Sequence, residues 1–296
     1  MSEWFRPAGS ASRHGFDVAL GPREAGWEHA GLNVLTLAPG ERREIRTGDC
    51  EWLVVPLAGK CRVESSTGDK VIFLDGRRDP FAGPTDFAYV PRMSRFAVVS
   101  TAGARLAMPH AKAENQLPFR RIPAEEVVTE LRGAGHASRQ VRNFGTPDVL
   151  NADSIIACEV LTPAGNWSSY PPHKHDEEHE DRESELEEIY YFEMRGADAS
   201  MPPGSRPFGY QRVYGTRTRP INVMAEVRTG DVVLVPYGWH GPSMAPPGYD
   251  MYYLNVMAGP GDQRQWLICD DPEHAWVRGT WESEKVDPRL PFEGRR

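Results

Sequence analysis

The sequence has 296 residues, of which 40% are hydrophobic and 10% aromatic, and its formal net charge is −8. This length and composition predict a globular chain with a large core and exclude general disorder. The negative charge, without a basic stripe interleaved with aromatic residues, argues against a nucleic-acid partner. The N-terminus does not resemble a signal peptide, and the sequence has no apolar window of the length a membrane span needs, so no membrane partner is expected.

The four cysteines are widely spaced and form no C-x-x-C motif: Cys50, Cys61, Cys158 and Cys269. Such spacing is typical of free thiols in a reducing compartment. We therefore expect the protein to be cytoplasmic.

Glycine and proline are frequent and scattered, with 28 and 26 residues, which is typical of short strands joined by tight turns. Apolar or alternating runs predict strands at 32–37, 52–57, 71–74, 87–90, 95–100 and 105–108. The same rhythm resumes at 154–161, 188–193, 210–214, 221–227, 231–235 and 251–256. The chain therefore repeats one kind of β-rich unit twice.

Residues 123–133 separate the two β-rich parts. They begin with proline and two glutamates and end with arginine and glycine. Proline in the first turn, early acids, a late base and a closing glycine predict one short helix.

A metal-binding pattern lies in the second half. His173 and His175 are separated by one residue, so on a strand they project from the same side, about 7 Å apart. His240 ends a Pro-Tyr-Gly-Trp-His turn, and Glu188 begins the strand-like Glu-Ile-Tyr-Tyr-Phe. Histidines with a carboxylate suit one divalent ion of Zn, Mn or Fe, although an isolated H-x-H in an acidic loop is as often a pair of surface histidines.

The two halves also match in detail. Residues 51–59 resemble 188–196, which aligns Glu51 with Glu188, and residues 85–91 resemble 229–236. The first half lacks an H-x-H pattern, and Arg-Met-Ser-Arg follows Pro91 where a histidine would be needed. The sequence therefore predicts a metal in the C-terminal half alone.

The string Gly165-Asn-Trp-Ser-Ser-Tyr-Pro-Pro-His-Lys-His-Asp176 closely resembles the 5-deoxy-glucuronate isomerases of myo-inositol catabolism, in the cupin superfamily. Residues 138–143, 186–192 and 211–214 resemble the same family, and the similarity spans nearly the whole chain. It implies an all-β fold of two cupin-type barrels, a bicupin. The expected division is a degenerate barrel without metal over 1–122, a connecting helix and linker over 123–152, and a metal-binding barrel over 153–296.

The resemblance implies that His173, His175, Glu188 and His240 hold the metal. The 12 residues between His175 and Glu188 exceed the usual cupin spacing, so other residues stay open as the fourth ligand: Glu187, Glu185 and His179. Glu188 is preferred because a ligand on a strand is better fixed than one on a charged loop.

The implied reaction is an aldose–ketose isomerisation of 5-deoxy-D-glucuronate, a small anionic sugar acid, to 2-deoxy-5-keto-D-gluconate. A metal would stabilise the developing oxyanion, and hydrogen would move by a hydride shift or, as we expect, through an enediol. Tyr190 shares a strand face with Glu188 and is the candidate proton donor, although packing in the barrel core would equally explain it.

The substrate carboxylate needs a cation, and alternation places Arg212 and Tyr214 together on one strand face. The resemblance favours Arg212 as the clamp, with Tyr214 beside it, over Arg142, Arg217 and Arg219. An exposed arginine in a surface ion pair is the competing interpretation. A homo-oligomer is also expected. The alternative functions are a sugar-acid-sensing cupin without activity and a metal-dependent cupin dioxygenase.

Overall fold

A computed structural model describes residues 3–292 of the chain. Strands dominate, as the scattered glycines and prolines predict. The strands up to residue 122 are β1 (Phe5–Arg6), β2 (Val18–Leu20), β3 (Ala30–Leu37), β4 (Arg42–Arg46), β5 (Cys50–Ser65), β6 (Val71–Arg77), β7 (Phe87–Val90), β8 (Arg95–Val99), β9 (Ala104–Lys112) and β10 (Arg120–Ile122).

The remaining strands are β11 (Val128–Arg132), β12 (Arg139–Asn143), β13 (Ile156–Thr162), β14 (Trp167–Ser168), β15 (His173–Lys174), β16 (Glu187–Gly196), β17 (Gly209–Tyr214), β18 (Asn222–Val227), β19 (Val232–Val235), β20 (Trp239–Met244), β21 (Tyr249–Ala258) and β22 (Cys269–Asp270). The helices are α1 (Pro22–Ala25) and α2 (Val277–Thr280), with 3₁₀ turns at Ala124–Glu126, Gly135–Ala137 and Trp281–Ser283.

The N-terminal half is one nine-stranded antiparallel sheet that curls on itself. Strand β5 makes the curl possible because it is 16 residues long and pairs with different neighbours along its length. Its first part pairs with β7 and β9, and its second part with β6 and β8. The sheet thereby encloses an apolar interior that includes Leu35, Val54, Val63 and Phe96.

The C-terminal half is built from two facing sheets. The seven-stranded sheet has the order β1-β19-β16-β21-β13-β12-β11, and the second sheet has the order β18-β17-β20-β15-β22 with β14 beside β20. Alternation divides the first sheet into two faces. One face packs into the barrel interior with Tyr190, Phe192 and Tyr253, and the other packs towards the N-terminal half with Ile189 and Tyr191.

A third apolar core joins the two halves, formed by sheet faces that look away from the barrel interiors. A buried ionic cluster lies at the same interface. Arg77 donates to Glu159 from Nη1 at 2.9 Å and also from Nη2, and the hydroxyl of Tyr252 donates to Glu159 at 2.8 Å. Because a buried charge left without its partner is costly, this cluster ties the two halves together.

The prediction of a helix at 123–133 is wrong. Only a single 3₁₀ turn forms, at Ala124–Glu126, and β11 follows at once. The run Val127-Val-Thr129 is β-branched and disfavours a helix, and β12 offers β11 a complete antiparallel ladder. The predicted connecting segment therefore supplies two strands to the C-terminal sheet, and β1 from the N-terminus pairs with β19 in the same sheet.

The division at residues 122 and 152 stays a prediction. Among residues 3–292, none of the helices combines the length and the apolar character that crossing a bilayer requires.

Candidate metal centre and active-site cavity

Three strands of the C-terminal barrel carry the predicted metal ligands. His173 lies on β15 directly opposite His240 on β20, and Glu188 lies on the inward face of β16. His175 directly follows β15, and its side chain lies beside those of Glu188 and His240. All four side chains are buried, which a metal site in a barrel interior requires.

Glu188 is the centre of the cluster. Its Oε2 lies 3.1 Å from Nε2 of His175 and 3.1 Å from Nε2 of His240. The ligand atoms of these three residues all lie within 4.8 Å of one another. His173 lies beside this tight group, with its ring centre 4.5 Å from that of His240.

The backbone sets the orientation of each imidazole. The Nδ1 atoms lie near main-chain carbonyl oxygens: 3.3 Å from Pro171 for His173, 3.2 Å from Leu186 for His175 and 3.2 Å from Gly238 for His240. A carbonyl oxygen only accepts, so each Nδ1 carries a proton, and in the neutral imidazole Nε2 then presents a lone pair. This is the arrangement that anchors histidine ligands of metals.

The Nε2 atoms of His175 and His240 both face the Glu188 carboxylate. This contact shows whether the four side chains fit a metal ion. Nε2 of His240 makes no hydrogen bond with any described residue, although Glu188 is only 3.1 Å away. Facing acceptors repel unless a cation lies between them. Three imidazoles and one carboxylate are also a donor set that divalent transition metals prefer, so the residues fit the metal.

The ionisation states agree with this fit. Burial opposes ionisation of Glu188, but its interactions with His240 and His175 outweigh burial and lower its pKa to about 2. Burial lowers the pKa of His173, and the neighbouring His240 and His175 lower it further, so its imidazole is neutral at pH 7. The Glu188 carboxylate and the His173 imidazole are therefore both in their ligand forms. Burial opposes protonation of His175, but its hydrogen bond to Glu188 and the charge of that carboxylate raise its pKa, so a metal ion would displace a proton from Nε2 of His175.

The other candidates for the fourth ligand lie elsewhere. Glu187 points to the opposite face of β16, where it accepts hydrogen bonds from main-chain N–H groups of residues 28–30. Glu185 and His179 are exposed on the acidic loop.

A second acidic group, Glu177, His179 and Glu183, is close enough to share an ion. However, Lys174 donates to Glu183 at 2.8 Å, and the N–H groups of Asp176 and Glu177 donate to the same carboxylate oxygen. The lysine side chain folds the acidic loop onto itself and compensates its charge, so this group carries no metal assignment.

The two halves align differently from the sequence match. Trp52 pairs with Val90, and Glu188 pairs with Val235, and each of these valines directly precedes a proline. Trp52 is therefore the structural counterpart of Glu188, and the match of Glu51 with Glu188 is wrong by one residue.

An aromatic pair occupies the corresponding place in the N-terminal barrel. Trp52 stacks on His110 with ring centres 4.1 Å apart, and both are buried. Gly31 leaves room for the imidazole, since a Cβ there would lie 2.2 Å from His110 Nε2. Among residues 3–292, both clusters that could hold a metal lie in the C-terminal half. A metal-free N-terminal barrel stays a prediction.

A cavity of about 430 Å³ opens beside the metal candidates. Its wall contains His173, Glu188 and Tyr190 from the barrel interior. The rest of the wall comes from β11 to β13, the turn between β14 and β15, β21 and the C-terminal segment: Glu130, Leu131, Arg132, Gly133, Arg139, Val141, Val160, Ser169, Tyr253, Asn255, Trp266, Ile268, Arg278 and Trp281. The volume suits a small sugar acid.

Tyr190 lies where the sequence predicts, on the inward face of β16 at the cavity wall. The hydroxyl of Ser169 lies 3.0 Å from the Tyr190 hydroxyl and 3.3 Å from that of Tyr253. Ser169 adopts a left-handed backbone, with φ of 46°, a strained conformation for a residue other than glycine. Burial, and then the charge of Glu188, raise the pKa of Tyr190 well above its ordinary value, so its phenol keeps its proton.

Arg212 and Tyr214 are not on the cavity wall. On β17 the inward residue is Val213, which pairs with His240, so its two neighbours face outward. The guanidinium of Arg212 lies 4.0 Å from the ring centre of Tyr214, whose hydroxyl donates to Asp271. Their assignment to substrate binding is therefore wrong for the cavity that contains the metal candidates.

Sequence reasoning missed several donors on the cavity wall. Arg139 is 7% exposed, and the N–H groups of Asn255, Trp266 and Trp281 are buried without a partner among the described residues. Alternation within residues 139–143 was the available signal for Arg139, because it places Arg139 with Val141 on one face and Arg142 on the other.

Residues 4–277 match the profile of the KduI/IolB family. A 5-deoxy-glucuronate isomerase of Geobacillus kaustophilus (strain HTA426) is 41% identical over 278 residues, which cover 94% of this chain and 96% of that protein. The crystal structure of an IolB-like protein from Salmonella typhimurium LT2 is 35% identical, with a TM-score of 0.83 over 93% of this chain and 99% of that chain.

A more distant likeness bears on the fold alone. The oxalate decarboxylase of Lactobacillus farciminis, in its formate complex, has a TM-score of 0.61 at 12% identity, over 91% of this chain and 89% of that chain. Together with the two β-rich halves, this likeness confirms the predicted all-β fold of two cupin-type barrels. The profile match and the 41% identity show that the chain belongs to the KduI/IolB family.

Proposed function

We propose that this protein is a metal-dependent isomerase that converts 5-deoxy-D-glucuronate to 2-deoxy-5-keto-D-gluconate in inositol catabolism. One observation carries the proposal beyond the family. Hydrogen-bond donors without partners among the described residues line the cavity that adjoins the histidine–glutamate cluster. Buried donors need acceptors, and the hydroxyl and carboxylate oxygens of a sugar acid supply them.

His175, Glu188 and His240, with His173 beside them, would hold one divalent ion of Zn, Mn or Fe. The bound ion would polarise the carbonyl and hydroxyl oxygens of the substrate. The three Nδ1–carbonyl contacts hold the imidazoles in place before the ion binds, so little ordering is needed on binding.

Tyr190 would donate its phenolic proton to a substrate oxygen as charge develops there. Its raised pKa keeps the proton on the hydroxyl at neutral pH, which suits a donor and not a base. The hydroxyl of Ser169 links Tyr190 to Tyr253, which fixes the phenol and offers a path for replacing the proton.

The proposal agrees with the names of the relatives. The Geobacillus protein that is 41% identical over nearly the full length of both chains is called a 5-deoxy-glucuronate isomerase. An identity of this extent supports the same reaction for this chain.

The test is proton NMR of 5-deoxy-D-glucuronate incubated with the purified, metal-loaded protein, with oxygen uptake followed in parallel. We expect the aldehyde hydrate signals to disappear as hydroxymethyl signals of the keto acid grow, without oxygen consumption. Oxygen uptake coupled to substrate loss would replace the isomerase with a dioxygenase. Tight binding of the acid without turnover by fully loaded protein would replace it with a sensor.

We also propose a cytoplasmic location and a homo-oligomeric state. The four cysteines are free in the structure, as expected of thiols in a reducing compartment. Light scattering of the purified protein after size-exclusion chromatography tests the oligomeric state, and a mass near 33.1 kDa would contradict it.

A further inference from the structure

The cavity wall contains three arginines, and two of them already have acidic partners. Arg132 Nε lies 2.8 Å from Glu130, and Arg278 Nη2 donates to Asp270 at 2.6 Å. These guanidinium groups are compensated within the protein, so a second anion gains less from them.

Arg139 differs from the other two. Within residues 3–292 its hydrogen bonds go from Nη1 to main-chain oxygens alone, to Ala137 at 3.1 Å and to Tyr170 at 3.4 Å. No carboxylate among residues 3–292 forms an ion pair with it, although its side chain lies on the cavity wall and is 7% exposed. A buried cation that lacks an anion is costly, so this position favours an anionic ligand.

The surroundings of Arg139 hold its guanidinium in one place. The group lies 5.4 Å from the centre of the Trp281 ring, and β12 pairs Arg139 with Arg132 on β11. Burial lowers the pKa of Arg139 to about 10, which still leaves it charged at neutral pH. The indole N–H of Trp281 has no partner among the described residues and lies on the same wall.

The nearby carboxylate does not take the place of a ligand. Glu130 also lines the cavity, but it accepts a hydrogen bond from Nδ2 of Asn143 at 3.3 Å besides its ion pair with Arg132. Nε and Nη2 of Arg139 therefore remain available to a molecule in the cavity, and a guanidinium edge matches a carboxylate in geometry.

We infer that Arg139 binds the carboxylate of the substrate and sets the preference of the enzyme for a sugar acid over the corresponding neutral sugar. This inference rests on the proposed isomerase function. It assigns the metal cluster to the aldehyde end of the substrate and Arg139 to the acid end, so that the two sites together fix the direction in which the substrate enters.

The experiment compares the metal-loaded protein with Arg139→Gln and Arg139→Lys on two substrates: 5-deoxy-D-glucuronate and the analogue with a hydroxymethyl group in place of the carboxylate. Glutamine can still donate to the main-chain oxygens but carries no charge. We expect Arg139→Gln to lower kcat/KM for the acid by about 10- to 100-fold, chiefly through KM, with less than about a threefold change for the neutral analogue. Arg139→Lys should recover part of the preference for the acid. Lysine keeps the positive charge but lacks the two parallel N–H donors of a guanidinium.

The matched control is Arg212→Gln, since Arg212 lies outside the cavity and should leave both substrates unaffected. Equal losses on both substrates would show that Arg139 only positions the loop at Tyr170. No loss on the acid would also overturn the inference.

Binding separates this inference from the proposed function. Calorimetry with the acid whose aldehyde is reduced to an alcohol measures carboxylate recognition without turnover. If the native protein binds this probe, Arg139→Gln should weaken binding by about 10-fold or more, whether or not the protein isomerises the aldehyde. Unchanged binding in Arg139→Gln, or no binding by the native protein, would overturn the inference, while turnover by the native protein would leave the isomerase in place.

Discussion

Glu51 and Glu187 occupy equivalent positions in the two halves, and each carboxylate binds the backbone of the other half. Glu51 accepts from the N–H groups of residues 153–155 at 2.6–2.9 Å, and Glu187 accepts from those of residues 28–30 at 2.8 Å. Each acceptor thus satisfies the backbone at the entry to a strand of the opposite half. The sequence repeat therefore supplies one interbarrel contact from each half, and the two contacts hold the barrels together.

This relationship predicts a loss of stability in Glu51→Gln. The carboxylate is fully buried and also accepts from the hydroxyl of Tyr89 at 2.7 Å. An amide in its place removes the charge and turns two N–H donors towards other donors, which should cost about 2 kcal/mol or more. Urea unfolding measures this change, and the exposed Glu125→Gln should stay within about 0.5 kcal/mol of the native protein. Equal stabilities of the two variants would contradict the role of Glu51.

The metal assignment predicts a contrast between two histidines. His175→Ala removes a buried lone pair from the Glu188 cluster and should reduce metal affinity by more than about 100-fold, with loss of activity. His179→Ala changes an exposed residue of the acidic loop and should leave metal content unchanged. Elemental analysis of the purified variants provides the measurement, and a full complement of metal in His175→Ala would refute the assignment.

Tyr190→Phe tests the proton donor. The variant keeps the packing of the ring but removes the hydroxyl beside Ser169, so kcat should fall by about 100-fold while metal content stays unchanged. Tyr214→Phe, on the outer face of the barrel, should retain activity within about twofold. Equal activity of Tyr190→Phe and the native protein would mean that Tyr190 only packs the barrel.

The stability of the N-terminal barrel should depend on pH through His110. Burial lowers its pKa to about 4, against 6.5 for the ordinary group. Between these values the unfolded chain binds a proton that the folded protein does not, so stability is complete above pH 6.5 and falls as the pH drops towards 4. The loss amounts to about 3 kcal/mol over that window.

His110→Phe preserves an aromatic partner for Trp52 and removes the titration. Urea unfolding at pH 7 and pH 5 should show a smaller decrease for the variant than for the native protein. Identical decreases in the two proteins would rule out His110 as the source.

Much of the fold was predictable because burial imposes a period of two on each strand. Residues 87–90 and 210–214, for example, correspond closely to β7 and β17. Strand β11 was not predictable, because the local signals at Pro123 and Gly133 are compatible with a helix. The fold supplies β12 as the partner that favours a strand. The pairing with β12 cannot be predicted from residues 123–133 alone.

The clustering of the candidate metal ligands was predictable from the sequence, but the place of Arg139 on the cavity wall was not. That the histidines and Glu188 lie together was predictable because ligand chemistry restricts the residue types and their spacing. Arg212 was assigned to the wrong face, since alternation shows which residues share a face and not which face turns inward. Alternation separates Arg139 from Arg142 but does not show which of the two faces the cavity, and the absence of an acidic partner for Arg139 is a property of the folded cavity.

The most direct test of a single catalytic metal is to titrate metal back into stripped protein while measuring isomerisation of 5-deoxy-D-glucuronate by NMR. We expect no turnover without metal and a rate that rises linearly to a plateau at one ion per chain, with no rise in His240→Ala over the same range. Full turnover by the stripped protein, or a plateau at two ions per chain, would contradict a single catalytic metal held by the C-terminal barrel.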